Sequence, residues 1–76
     1  MKNKNIVING INDVCDFIKA SNLVDGDVTL VKGRYIVDGK SIMGVLSLDM
    51  TSPINVEYPA DANIFENAIS QFIVEE

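Results

Sequence analysis

At 76 residues the chain has room for one small domain, and 47% hydrophobic with 22% charged content is a globular balance rather than a disordered one. Eleven acidic residues against six basic ones leave a net charge of -5, the wrong sign for gripping a phosphate backbone, so direct nucleic-acid binding is not expected. The single Cys15 cannot close an internal disulfide, and no apolar run approaches the roughly 20 residues of a membrane helix, so a cytoplasmic location and no membrane partner are expected.

Asn5-Ile6-Val7-Ile8 is short and β-branched and stops at Asn9-Gly10, which reads as a strand entering a turn. The same apolar stretch is too short for a signal-peptide core. The period then changes: Ile11, Val14, Cys15 and Ile18 fall at i, i+3, i+4 and i+7, predicting a helix from about Ile11 to Ser21 with that stripe buried. Asp25-Gly26-Asp27 marks a turn. Val28–Val31 and Tyr35–Val37 flank Lys32-Gly33-Arg34 as a hairpin.

Beyond Asp38-Gly39, Ser41 offers a side-chain oxygen at the N-cap of a short helix reaching about Leu48, with Ile42, Val45, Leu46 and Leu48 as its apolar content. Pro53 followed by the alternation Ile54-Asn55-Val56-Glu57-Tyr58 predicts a last strand. Pro59-Ala60-Asp61 opens a final helix, where Phe65, Ala68, Ile69, Phe72 and Ile73 repeat at helical spacing.

The order is therefore βαββαβα across residues 1–76, read as a single domain. The economical architecture is an α+β, two-layer open-faced sandwich: a four-stranded antiparallel sheet with three helices on one face. A domain of this size buries only about 60% of its unfolded surface, so a monomer or weak homodimer is expected. Tyr35 and Tyr58 read as half-buried strand residues. Lys32, Arg34 and Lys40 read as a solvated hairpin and its approach rather than an anion site. The sequence has no zinc spacing, phosphate-cradling glycine loop or catalytic triad, so no metal, no cofactor and no enzymatic activity are expected.

The run Lys40-Ser41-Ile42-Met43-Gly44-Val45-Leu46-Ser47-Leu48 resembles the regulatory-serine helix of HPr, the histidine-containing phosphocarrier of the bacterial sugar phosphotransferase system. The resemblance extends from Asn5 to Phe72 and implies the same βαββαβα fold. It breaks at the first helix. HPr carries its phosphoryl group on a histidine within a run like Gly-Ile-His-Ala-Arg-Pro-Ala, whereas this chain reads Asn9-Gly10-Ile11-Asn12-Asp13-Val14-Cys15 and has no histidine at all. Matching the Gly-Ile pair places Asn12 at the histidine position; counting back without gaps from Ser41 places Gly10 there. Neither residue can form a transferable phospho-intermediate, and Asp13 adds negative charge where an anion would sit.

A substitute nucleophile is the alternative. Cys15 is the one thiol, and a helix start lowers a thiol pKa; its place on the predicted apolar stripe favours instead a small buried hydrophobe. For Ser41, the resemblance implies phosphorylation by a dedicated HPr kinase, after which the phosphoprotein joins a transcriptional regulator, the role of the histidine-lacking catabolite-repression HPr-like protein. Phosphate at a helix N-terminus is electrostatically tolerated. Ser41 as a cap alone, in a degenerate copy that keeps only the fold, stays open.

Ile42, Met43 and Leu46 resemble the apolar patch by which HPr meets its partners, with Met43 expected to face solvent, and Val45 and Leu48 are expected in the core. Asp49 departs from the glycine common after Ser-Leu in that family. The expected function is a regulatory protein-interaction module around Ser41.

Overall fold

The computed structural model describes residues 1–48 and 52–74. In chain order they form β1 (Lys2–Ile6), α1 (Gly10–Ser21), β2 (Thr29–Lys32), β3 (Tyr35–Asp38), α2 (Ile42–Leu46), β4 (Ile54–Tyr58) and α3 (Asn63–Ile69), which tightens into a 3₁₀ turn over Ser70–Phe72. This is the βαββαβα order expected from the alternation of periods. Asp49 lies outside the described residues. Among those described, no helix is long and apolar enough to cross a membrane.

The strands make one antiparallel sheet in the order β1-β4-β2-β3. Strict alternation in β4 buries Ile54, Val56 and Tyr58 and leaves Asn55 and Glu57 on the open face. The register sets Ile6 opposite Ile54, and Leu30 opposite both Val56 and Val37, so one apolar face runs across the sheet. That face joins Val14, Phe17 and Ala20 of α1, Val45 of α2, and Phe65 and Ile69 of α3 in a single cluster, which puts all three helices on the same side.

Phe65 is the keystone of this layer: its ring meets Tyr58 edge-on at 5.2 Å and Phe17 at 6.0 Å, linking α3 to the sheet and to α1. The Tyr58 hydroxyl emerges at the far end of the ring to donate to Glu66 Oε2 at 2.6 Å, and Lys2 Nζ reaches the same oxygen at 3.4 Å. Burial first, and then the carboxylate beside it, pushes the Tyr58 hydroxyl pKa well up. The hydrogen bond from that hydroxyl holds Glu66 below its ordinary value, with Lys2 adding to the effect against a smaller opposing desolvation.

The expected β2–β3 hairpin is present, but its turn is Gly33-Arg34 alone, because Lys32 belongs to β2 and pairs with Tyr35. Gly33 has φ 59 and Arg34 is not among the positive-φ residues, the sign pattern of a II′ turn, whose twist matches the flanking strands.

Several expectations need correction. The α1 face is rotated: Val14 and Phe17 are buried with Ala20 and Ser21, while Ile11 is 56% exposed and Cys15 is exposed. Phe17 offers the largest apolar area on the helix, and turning it inward swings Ile11 and Cys15 out. Cys15 is therefore not the buried hydrophobe its spacing suggested. The buried Ser21 hydroxyl is satisfied by the Phe17 carbonyl at 2.9 Å.

Strand β1 begins at Lys2 rather than Asn5, and ends at Ile6. Its first three residues, Lys2, Asn3 and Lys4, are all exposed and are held at the sheet edge by backbone pairing to β4. Neither tyrosine is half-buried: Tyr58 is fully buried and Tyr35 is 70% exposed on the outer strand. The second helix ends at Leu46 rather than Leu48, although Leu48 is still buried. Pro59–Asp61 forms a turn ahead of α3, whose N-cap is Ala62.

Candidate functional site

The two helix starts singled out by the sequence are built differently. At α1, Asn9 occupies the N-cap with extended backbone angles, but its side chain makes no capping bond. Asp13 Oδ2 instead accepts the Asn9 N–H at 3.0 Å, reaching back from the first turns of the helix. Gly10 enters the helix at φ 78, in the left-handed region that L side chains resist.

Gly10 and Asn12, the two placements that the resemblance gives for the histidine, are both exposed at the helix start. Neither residue carries a transferable nucleophile. The carboxylate of Asp13 occupies the electropositive end of α1 that an incoming phosphate would need. Cys15, one turn further on, is the accessible thiol of this helix.

At α2 the cap is made. Ser41 has extended backbone angles and its Oγ accepts the Gly44 N–H at 3.3 Å, satisfying one of the donors that a helix start leaves without a partner. The approach to Ser41 is held on three sides. The Lys40 N–H donates to Asp38 Oδ1 at 2.9 Å, the Ser41 N–H to the Asp38 carbonyl at 3.1 Å, and Lys40 Nζ to the Val24 carbonyl at 2.7 Å. The Lys40 ammonium therefore ties the loop after α1 to the start of α2.

Lys32 Nζ donates to Ser52 Oγ at 2.5 Å. These lysines are engaged in structural hydrogen bonds and do not converge on an anion site.

Val45 is fully buried beneath α2, which leaves the other flank outward: Met43 is 75% exposed and Ile42 and Leu46 are each 43% exposed. The acidic first turn of α1 has no equivalent here, since α2 carries no acidic residue in its first turn. The result is an apolar ridge beginning beside a half-buried serine hydroxyl. The two helices touch, and the Lys40 contact to Val24 brings the start of α2 to the loop that follows α1. The exposure of Ile11 had no clear signal in the sequence, because Ile11 fits the wrong helical stripe as well as it fits any.

Among the described residues, no group of His, Cys, Asp and Glu side chains is arranged to hold a metal ion. No buried side-chain polar atom is left without a partner among them. Neither feature marks a catalytic pocket.

No family model matches the sequence, and no curated protein matches it either. Solved structures do match. HPr-C-His from Thermoanaerobacter tengcongensis superposes with a TM-score of 0.76 at 21% sequence identity, covering 96% of this chain and 91% of that one. The phosphocarrier protein HPr from Bacillus anthracis str. Ames superposes with a TM-score of 0.68 at 22% identity, covering 96% of this chain and 94% of its own. Over nearly its whole length, the chain has the fold of the HPr phosphocarrier proteins, carried by a sequence without histidine.

Proposed function

We propose that this chain is a regulatory protein-interaction module of HPr type, acting in the orbit of a bacterial phosphotransferase system without carrying its phosphoryl group and without enzymatic turnover. The observation that carries this reading is the exposed apolar ridge Ile42, Met43 and Leu46 beside the capping Ser41, in a fold whose nucleophile position is Asn12 or Gly10. A flexible thioether flanked by aliphatic side chains is a suitable anchor for a partner's apolar patch.

Phosphorylation at Ser41 adds a dianion at this ridge and places it at the start of α2, where the first-turn N–H groups favour negative charge. The apolar anchor then acquires a charged rim, which is how one modification changes partner choice. HPr kinase is the enzyme expected to install the phosphate, and a transcriptional regulator is the expected acceptor of the modified form.

The test is to expose the chain to HPr kinase and ATP and measure binding to that regulator for wild type, Ser41→Ala and Met43→Asp. Ser41→Ala is expected to abolish the gain that follows kinase treatment, and Met43→Asp to weaken binding with or without it. Unchanged binding in both variants, with folding intact, leaves the fold-only reading in place.

A second reading is favoured by one observation, the exposure of Cys15 on α1. The accessible thiol, giving up its proton as it attacks, would take a phosphoryl group from phosphorylated enzyme I, with the enzyme's histidine as the leaving group. A phosphoenolpyruvate-dependent mass gain that Cys15→Ser removes would establish it.

A further inference from the structure

The two edges of the sheet are finished differently. Along β1, the Val74 N–H donates to the Asn5 carbonyl at 2.9 Å, the Val7 N–H donates to the Phe72 carbonyl at 2.9 Å, and Ile6 bridges Ile73. Lys2 and Lys4 add charge to that strand. Added chain and lysine are both devices that discourage edge pairing. Among the described residues β3 has no such cover, and it presents Tyr35 at 70% and Ile36 at 71% exposure.

The backbone phase of β3 is fixed by its partner. Lys32 pairs with Tyr35 and Leu30 with Val37, and the Gly39 N–H donates to the Val28 carbonyl at 2.7 Å. Residues 35, 37 and 39 therefore bond inward to β2, and Ile36 directs its N–H and C=O outward. The side chains of Ile36 and Asp38 share the open face of the sheet, and Arg34 stands in the turn immediately before the strand.

That outward row is self-complementary. In an antiparallel pairing with Ile36 opposite the partner's Ile36, Arg34 falls opposite the partner's Asp38, and the same pair recurs across the dyad. Arg34 makes no ion pair with any described residue, and Asp38 uses one carboxylate oxygen on the Lys40 N–H, leaving the other available. Sliding the strands by two residues one way sets Arg34 against the partner's Lys40. Sliding them the other way sets Arg34 against the partner's Ile36 and leaves Asp38 beyond the end of the partner's strand, so both charge pairs are lost. Charge and length thus select one register, and the sequence that satisfies it is the chain's own.

We propose that the β3 edge is a homodimerisation surface through which two copies pair antiparallel over residues 34–38, merging two four-stranded sheets into one. The two Ile36 residues exchange backbone hydrogen bonds, and the Asp38 N–H meets the partner's Arg34 carbonyl. The Asp38 carbonyl stays with Ser41, whose N–H it already accepts. The flanking Arg34–Asp38 pairs close the ladder at both ends.

Sedimentation equilibrium over a wide concentration range, at about 0.15 M salt to screen the net negative charge, tests this directly. Wild type is expected to show a concentration-dependent dimer. Arg34→Glu, which sets like charges opposite each other twice, is expected to raise the dissociation constant about tenfold or more. The charge exchange Arg34→Glu with Asp38→Lys is expected to return it to within about threefold of wild type.

A covalent trap covers the case in which the exchanged variant folds poorly. Facing residues of a hydrogen-bonded pair have Cα atoms about 5.5 Å apart, within disulfide reach. Cys15→Ser with Ile36→Cys should therefore oxidise to a dimer much faster than Cys15→Ser with Tyr35→Cys. A monomer at all concentrations, a dimer indifferent to Arg34→Glu, or equal trapping at positions 35 and 36 would each overturn the proposal; a monomer that captures an extended strand of another protein would reassign the edge to that partner.

Discussion

The starts of α1 and α2 are alike in chain geometry and opposite in chemistry. Each follows an extended N-cap residue, Asn9 or Ser41, and each helix buries one valine deeply, Val14 or Val45. Yet α1 caps itself by bringing a carboxylate to its own N-terminus, through the Asp13 contact to the Asn9 N–H, whereas α2 is capped by a neutral hydroxyl with no acid in its first turn. A helix start that already holds an anion has little use for another; one capped by a hydroxyl can exchange it for a phosphate. On the proposed reading, one helix start is closed to anion chemistry and the other is open to it.

The sharpest way to break the comparison is through the core that holds both helices. Phe17→Ala should cost about 3–5 kcal/mol, because its ring fills the space between α1 and Phe65. Cys15→Ala, two residues away and exposed, should stay within about 0.5 kcal/mol. Urea denaturation of the two variants measures the contrast, and equal costs would mean that the α1 face is still misassigned.

The next effects come from the helix starts themselves. Ser41→Ala removes a made cap and should cost about 1 kcal/mol, whereas Asn9→Ala removes a side chain that caps nothing and should cost clearly less. Gly10→Ala forces a side chain into φ 78 and should destabilise by about 1–2 kcal/mol. Gly44→Ala should instead stabilise by about 0.5–1 kcal/mol, since the added Cβ meets its neighbours at 3.5 Å, an ordinary contact. Thermal or chemical denaturation of the four variants checks both signs.

The order of elements was legible because three signals agreed: alternation in Ile54–Tyr58, helical spacing through Phe65, Ile69 and Phe72, and a serine at a helix start. The face of α1 was not, since Val14 and Ile18 lie between two apolar stripes. One stripe adds Ile11 and Cys15, the other Phe17 and Ser21, and spacing alone cannot choose. Side-chain size chooses, because Phe17 offers more apolar area to the core than Cys15. Strand β1 was read late for a related reason: Lys2 to Asn5 are polar, and an edge strand needs little apolar content to be held by backbone pairing to β4. At the candidate site, Ser41's capping position could be read locally, whereas the exposure of Ile42, Met43 and Leu46 depends on where Val45 enters the core.

A pH effect belongs to the Tyr58–Glu66 contact rather than to the capping groups of either helix start. Glu66 has a depressed pKa in the folded state, so the stabilisation it contributes is present above its ordinary value of 4.5 and is lost as the pH falls through the lower, folded value. For Tyr58, whose pKa is raised, the contribution is intact below the ordinary value of 10.0 and is lost as the pH climbs above it. Tyr58→Phe should flatten both arms of the stability profile relative to wild type and move the Glu66 carboxyl upward in an NMR titration. A Glu66 titration that does not move would show that the hydroxyl contact is not made in solution. The smallest stability effect is expected from Met43→Asp, within about 0.5 kcal/mol, because the side chain is exposed; the cost of that change should fall on partner binding.

The most direct test of the contrast between the two helix starts is intact-mass analysis with phosphosite mapping after two parallel incubations, one with enzyme I and phosphoenolpyruvate and one with HPr kinase and ATP. The account predicts no phosphoryl group from the first and a single one on Ser41 from the second. A phosphoryl group acquired from phosphoenolpyruvate, on Cys15 or any other residue, together with an unmodified Ser41 after kinase treatment, would contradict it.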